Sequence, residues 1–141
     1  MKYSSQYLIA GIVLLLVIGQ SYAANGQTPT IATHVVINEV ETNPAIDDTK
    51  SPAQWVELYN PTSSPVNIGG WTIGATTGLK QVFTISTGTT IQSKQFIVYH
   101  YVPIWFPHAG AVIQLTGSSG TIIDQTPPVS DTQGDGNTWQ R

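Results

Sequence analysis

The stretch Trp55–Ile73 constrains the fold of this chain more than any other segment. Trp55–Tyr59 alternates in side-chain type as a half-buried β-strand does, and Gly70–Ile73 starts a second strand. Between them, Pro61 and Pro65 lack a backbone N–H and hold φ at roughly −65°, so the chain has to leave the hydrogen-bonded ladder. The stretch therefore predicts two scaffold strands joined by a turn, and not a catalytic loop.

Short runs of β-branched and aromatic residues recur along the rest of the chain, separated by Gly, Pro, Ser and Thr. The predicted strands are Val35–Val40, Trp55–Tyr59, Gly70–Ile73, Val82–Ile85, Phe96–Tyr101, Ala111–Thr116 and Thr121–Asp124. After residue 23, no window repeats apolar residues at the i, i+3, i+4, i+7 spacing of an amphipathic helix. This pattern predicts an all-β sandwich or barrel.

Two of the predicted strands carry apolar residues on both faces, so their orientation is ambiguous. One face of Phe96–Tyr101 carries Phe96 and Val98, and the other carries Ile97, Tyr99 and Tyr101. Such a strand is either central and covered on both sides, or it has a sticky outer face. Val35–Val40 is ambiguous in the same way.

The first residues have the pattern of a targeting segment. Lys2 is followed by the apolar run Leu8–Ile18 and a small-residue site ending at Ala23. We therefore predict a signal peptide over residues 1–23, a linker over 24–33 and one domain over 34–141. The expected location is secreted or at the cell surface, and an uncleaved N-terminal membrane anchor is the alternative.

Charge and cysteine content exclude several classes of protein. The formal net charge is −3, and loss of Lys2 with the signal peptide makes it −4. The few cations form no basic patch that could neutralise phosphates, so nucleic-acid binding is not expected. Cysteine is absent, so no disulfide can stabilise the domain, which has to rely on a hydrophobic core.

Three segments follow one another as in a known family. They are Ile37–Val40 (Ile-Asn-Glu-Val), Trp55–Asn60 (Trp-Val-Glu-Leu-Tyr-Asn) and Val66–Ile73 (Val-Asn-Ile-Gly-Gly-Trp-Thr-Ile). This succession resembles the lamin tail domain, and Asp135–Arg141 is similar to the closing segment of its microbial versions. The resemblance covers residues 34–141 and implies an immunoglobulin-like β-sandwich of the secreted microbial type. No heptad segment accompanies it, so nuclear roles are not carried over.

Glu39 and Glu57 are the best candidates for a catalytic pair, because they occupy neighbouring predicted strands. Two facing carboxylates would need a metal ion or a shared proton. The alternative is that each carboxylate accepts hydrogen bonds or faces solvent. A small metal-dependent hydrolase would further require one of His34, His100 and His108. We predict no enzyme, no cofactor and no metal centre.

Asp131, Asp135 and Asn137 are weak calcium candidates, since they place oxygen atoms in a glycine-rich loop. Their spacing does not fit the twelve-residue calcium loop. A turn in which Asp and Asn bond their own backbone is the simpler interpretation.

The loop Pro103–Gly110 is the strongest candidate for a binding site. Prolines flank Trp105 and Phe106, which predicts a rigid aromatic tip able to stack on a sugar or anchor a protein. In the alternative, Trp105 folds back and caps the sandwich. The predicted binding residues are Tyr99, Tyr101, Trp105, Phe106 and His108. Trp55 and Trp71 are predicted to lie in the core.

The leading functional hypothesis is a secreted, non-catalytic immunoglobulin-like module for protein–protein or cell-surface interaction. The alternative is a carbohydrate-binding module that uses the aromatic loop. The expected partner is a protein or a glycan of the cell envelope. Membrane contact is expected only through the N-terminal segment, if that segment is not cleaved.

Overall fold

A computed structural model describes residues 32–45, 54–78, 81–101 and 104–141. The predicted signal peptide and nearly all of the predicted linker lie outside these residues. The described residues form the strands β1 (Val36–Glu41), β2 (Trp55–Tyr59), β3 (Val66–Asn67), β4 (Thr72–Ala75), β5 (Val82–Thr84), β6 (Thr90–Ile91), β7 (Phe96–His100), β8 (Ile113–Thr116), β9 (Ile122–Gln125) and β10 (Trp139–Gln140). A membrane-spanning helix is absent from the described part of the chain.

The strands form two four-stranded antiparallel sheets and one short pair. The first sheet has the order β10-β1-β2-β7, the second has the order β5-β4-β8-β9, and β3 pairs with β6. Side chains of both sheets join in one buried hydrophobic cluster. The fold is therefore the predicted all-β, immunoglobulin-like sandwich.

Period-two alternation explains why the clearest strands were predictable. In β2, Val56 and Leu58 are completely buried, whereas the residues between and beside them are half-buried on the opposite face. In and just before β8, Ala111, Ile113 and Leu115 are also completely buried, so the alternate residues of this predicted strand share the core face. The two-residue strands β3 and β10 were not predicted, because two residues are too few to show alternation.

A β-bulge resolves the ambiguity of β1. The pairing of β1 with β2 shifts register between Ile37 and Glu39, so Asn38 is the extra residue. One extra residue moves the following side chains to the other face, which lets Ile37 and Val40 both point into the core. Val36, on the opposite face, is also buried at 2% exposed, so the bulge explains why Ile37 and Val40 share the core side although β1 is buried on both faces.

Buried Asn60 holds the turn that follows β2. Its Nδ2 atom donates to the carbonyl oxygens of Ser64 at 2.8 Å and Ile91 at 3.0 Å, and its Oδ1 accepts from the Thr62 amide at 3.0 Å. Further along, a Cβ on Gly69 would lie 2.6 Å from the backbone of Gly88. This close approach requires glycine at the bend before β4.

One lateral side of the sandwich is sealed by side chains. The Asp124 Oδ2 atom of β9 accepts the Ile37 amide of β1 at 2.7 Å and a bond from the Arg141 guanidinium at 2.5 Å. Arg141 also donates from Nε to the Ile37 carbonyl at 3.0 Å. These bonds connect the second sheet to the first and satisfy backbone groups of Ile37, which lies beyond the residues of β1 that pair with β10.

Candidate functional site

The exposed aromatic tip predicted for the loop Pro103–Gly110 is wrong. Trp105 and Phe106 are both 0% exposed and belong to the core cluster. Their rings stack at a centroid distance of 4.5 Å with an interplanar angle of 18°. The structure thus corresponds to the alternative in which Trp105 folds back onto the sandwich. Pro103 itself lies outside the described residues.

A buried amide explains why this loop folds inward. Gln54, just before β2, is 0% exposed, and its Oε1 atom accepts the backbone amides of Trp105 at 2.6 Å and Phe106 at 2.7 Å. Its Nε2 atom donates to the carbonyl oxygens of Thr42 at 2.5 Å and Phe106 at 2.9 Å. The side chain therefore satisfies loop backbone that burial would otherwise leave without partners.

Two of the other predicted binding residues, Tyr99 and Tyr101, pack against this core cluster. Tyr101 lies 5.4 Å from Trp105, and Tyr99 lies 5.1 Å from Phe83, measured between ring centroids. Tyr99, Tyr101 and His108 are half-buried. The structure therefore brings the tyrosines and Trp105 together as packing residues and not as an exposed platform.

Two polar atoms in this cluster lack hydrogen-bond partners. They are the hydroxyl of Tyr99 and the indole Nε1 of Trp105, and both are buried. Burial raises the pKa of the Tyr99 hydroxyl above its ordinary value of 10.0, because the charged form loses its hydration. Burying these two polar atoms without partners therefore lowers the stability of an otherwise apolar cluster.

Exposed aromatic surface lies instead on the outer face of the first sheet, the face turned away from the second sheet. We call Tyr59, Phe96 and Val98 the outer strip. Tyr59 and Phe96 stack at 4.4 Å with an interplanar angle of 22°. Phe96 is 53% exposed and Val98 is 42% exposed. Because β7 is the last strand of its sheet, the sticky-outer-face interpretation is correct and the central-strand one is wrong.

The core prediction for two tryptophans has different outcomes. Trp55 alternates with buried Val56 and lies half-buried on the outer face, paired in register with exposed His100. The prediction of a core position for Trp55 is therefore wrong, because β2 turns its odd-numbered residues outward. Trp71 is partly buried and packs against the core.

The two glutamates face each other across β1 and β2, as the first alternative for them required. Glu39 and Glu57 are register partners. Glu39 accepts bonds from Thr138 Oγ1 at 2.5 Å and Gln140 Nε2 at 3.0 Å, and Glu57 accepts one from Asn38 Nδ2 at 2.8 Å. Hydrogen-bond donors therefore accompany both carboxylates.

Across the described ranges, no three His, Cys, Asp or Glu residues are grouped so that they could hold a metal ion. His34, His100 and His108 do not join the glutamate pair in such a group. The convergence that the hydrolase hypothesis needs is thus missing from these residues.

The calcium candidates form backbone-bonded turns. Asp131 Oδ1 accepts the amides of Gln133 at 2.9 Å and Gly134 at 3.2 Å, and Asp135 Oδ1 accepts that of Asn137 at 3.1 Å. This is the turn geometry that was the simpler interpretation. Asp131 is 8% exposed, and its Oδ2 atom has no hydrogen-bond partner. Calcium binding there stays the weaker alternative.

The sequence matches one family model over most of its length. Residues 28–130 match the family described as Lamin Tail Domain. No curated protein matches the chain significantly. The matched range contains β1 to β9, and β10 lies beyond it but pairs with β1.

Proposed function

Because the chain belongs to the lamin tail domain family, whose fold is immunoglobulin-like, we propose that it is a non-catalytic interaction module that acts outside the cell. The outer strip is its contact surface, and its partner is a protein of the cell envelope. The observation that carries this proposal is the exposure of Phe96 and Val98 beside the ring of Tyr59.

The outer strip has the properties of an interaction hot spot. Large apolar side chains more than 40% exposed lose water contacts when a partner covers them, which favours association by roughly 25 cal/mol per Å² of apolar surface. The stacking of Tyr59 on Phe96 holds both rings in place before binding. Little side-chain entropy is then lost on association.

Charge around the strip indicates the kind of partner. Glu57 lies next to Val98 in register, and Glu39 lies next to Glu57 on the following strand. The chain as a whole has a formal net charge of −3. A partner with an apolar centre and a basic rim complements this arrangement, and an acidic partner is disfavoured.

The proposed location rests on the N-terminal pattern. A positive residue, an apolar run and a small-residue site over residues 1–23 support export. N-terminal sequencing of protein recovered from the medium or cell surface checks this. A sequence that starts near residue 24 supports cleavage, and one that starts at Met1 contradicts it.

Partner capture tests the contact surface. Wild type, Phe96→Ser and Ile122→Ser are immobilised at equal density and exposed to a cell-envelope extract. Ile122 is the matched control, because it is 54% exposed and lies on β9 of the second sheet. We expect Phe96→Ser to lose the retained protein about tenfold or more, as hot-spot truncation does, whereas Ile122→Ser keeps it.

Equal retention by wild type and both variants would contradict the proposal. The carbohydrate alternative is not retained, since it depended on exposed Trp105 and Phe106, and both are buried.

A further inference from the structure

We propose that β7 pairs edge to edge with β7 of a second copy of this chain, so that two first sheets become one continuous sheet. This inference goes beyond the proposed function and does not depend on it. It adds a backbone site to the side-chain surface described above.

The backbone of β7 has hydrogen-bonding groups directed away from the sheet. Asn60 donates to the Gln95 carbonyl at 3.0 Å, and Tyr101 donates to the Gln54 carbonyl at 3.1 Å. In an antiparallel ladder hydrogen-bonded pairs recur at every second residue. Ile97 and Tyr99 therefore bond β2, whereas the amides and carbonyls of the even-numbered residues point outward. Those residues are Phe96, Val98 and His100.

Nothing in the sequence of β7 blocks strand addition. Edge strands are usually protected by a lysine, a proline, a bulge or very short length. Phe96–His100 has five residues, pairs with β2 without a register shift, and contains neither lysine nor proline. By contrast, β10 has two residues, β5 has three, and the pairing of β9 with β8 contains a register shift.

Charge favours a second copy at this edge. The protein carries a net charge of −3, so most contacts between two copies bring negative charges together. The segment Phe96–His100 contains no Asp, Glu, Lys or Arg. Two β7 strands can thus approach without placing like carboxylates directly opposite each other.

A two-fold axis at Val98 pairs all five residues of each strand. Val98 then lies opposite Val98 of the other copy, and Phe96 lies opposite its His100. On the outer face, each row continues as Trp55, His100, Phe96 and Tyr59, the last two from the other copy, because Trp55 pairs with His100 and Tyr59 with Phe96. Neighbouring ring side chains of this kind stabilise adjacent strands.

A contact made by five residues per strand is smaller than the roughly 1,200 Å² or more that stable interfaces bury. The dimer should therefore be weak. The average molar mass of the protein should rise from that of the monomer toward that of the dimer as its concentration increases from about 10 µM to about 1 mM. This is the range expected for a small interface.

Analytical ultracentrifugation of the protein as purified from the expressing cells tests this dimer, with variants that place charges at Val98. Val98→Lys and Val98→Glu each place like charges against each other at the two-fold axis, so each variant alone should stay monomeric. Their equimolar mixture places Lys opposite Glu, so association should return. Ile122→Lys, which adds the same charge to a somewhat more exposed residue of the second sheet, should dimerise like wild type. Melting curves verify that every variant folds.

A wild type that stays monomeric throughout this range overturns the inference, as does a Val98→Lys variant that dimerises like wild type. A mixture of folded variants that stays monomeric overturns the pairing centred on Val98. These results are independent of envelope capture. If the protein is monomeric but still captures its partner through Phe96, only the dimer is contradicted. If it dimerises but captures no envelope protein, only the proposed envelope partner is contradicted.

Discussion

Two stacked aromatic pairs in this molecule have almost the same ring geometry and opposite surroundings. The inner pair, Trp105 and Phe106, has centroids 4.5 Å apart at 18°, and the outer pair, Tyr59 and Phe96, has centroids 4.4 Å apart at 22°. The inner pair is 0% exposed, whereas Phe96 is 53% exposed. Stacking alone therefore does not decide whether aromatic rings stabilise the core or remain available to a partner.

The backbone around each pair accounts for the difference. The inner pair belongs to a loop, and buried Gln54 accepts hydrogen bonds from the backbone amides of both residues. The loop can therefore enter the core without leaving these donors unpaired. The outer pair belongs to two regular strands, β2 and β7, whose alternation turns these rings away from the core. The inner pair is therefore part of the core, and the outer pair belongs to the surface that we propose for binding.

Removal of the inner tryptophan should have the largest effect on stability. Trp105→Ala empties a completely buried site, and such truncations cost about 3–5 kcal/mol. The free energy of unfolding from urea titration measures this. A loss below about 1 kcal/mol, the value typical of surface changes, would show that the ring is not a core element.

The next largest effect should come from the residue that holds the inner loop. Gln54→Leu keeps the side-chain volume but leaves the buried amides of Trp105 and Phe106 without an acceptor. Orphaned buried groups cost about 1–3 kcal/mol each, so we expect a loss of about 2–4 kcal/mol in the same titration. Gln92→Leu is the control, because Gln92 is exposed, and it should change stability little. Equal losses for both variants would contradict the proposed role of Gln54.

Truncation of the outer pair should affect stability much less than binding. Phe96→Ser removes a half-exposed ring and its stack on Tyr59, which is worth about 0.5–1.5 kcal/mol. Urea titration should thus show a loss of about 1 kcal/mol, although capture of the partner drops strongly. A loss as large as that of Trp105→Ala would place Phe96 in the core and contradict the comparison.

The smallest effect at neutral pH is expected for Tyr99→Phe, which deletes a buried hydroxyl without a partner. Stability at pH 7 should equal that of wild type or exceed it by up to about 1 kcal/mol. Tyr101→Phe is the control, since its hydroxyl is not among the buried groups that lack partners.

Above pH 10 the difference in stability between Tyr99→Phe and wild type should increase. The folded-state pKa of Tyr99 is raised above 10.0. The unfolded chain therefore loses this proton first, and the stability linked to it, complete below pH 10, is lost as pH rises through the folded-state pKa. Tyr99→Phe should lose less stability than wild type over that range. Parallel pH profiles would contradict this linkage.

Much of the scaffold was predictable because it depends on local pattern. Alternation in Trp55–Tyr59 and Ala111–Thr116 identified strands and their buried faces, and the ordered segments around them indicated the family. At these positions the strands can be identified from short windows of sequence alone.

The inner pair was not predictable, because its position depends on a residue far away in the chain. Gln54 bonds an amide 51 positions later, and no local signal tells which backbone groups a glutamine side chain will meet. Prolines and aromatic rings alone are typical of an exposed tip. For the outer strip, the sequence showed that both faces of β7 are apolar. It did not show which face meets solvent, because that depends on the place of β7 at the sheet edge.

Amide hydrogen exchange along β7 tests the central claim most directly, namely that this strand is an open edge with an exposed outer face. In dilute protein, the amides of Phe96, Val98 and His100 should exchange fast, whereas those of Ile97 and Tyr99 are protected by β2. At high concentration the three fast amides should become protected as copies pair. Uniform protection of all five amides in dilute protein would contradict the open edge, and fast exchange that ignores concentration would contradict its pairing.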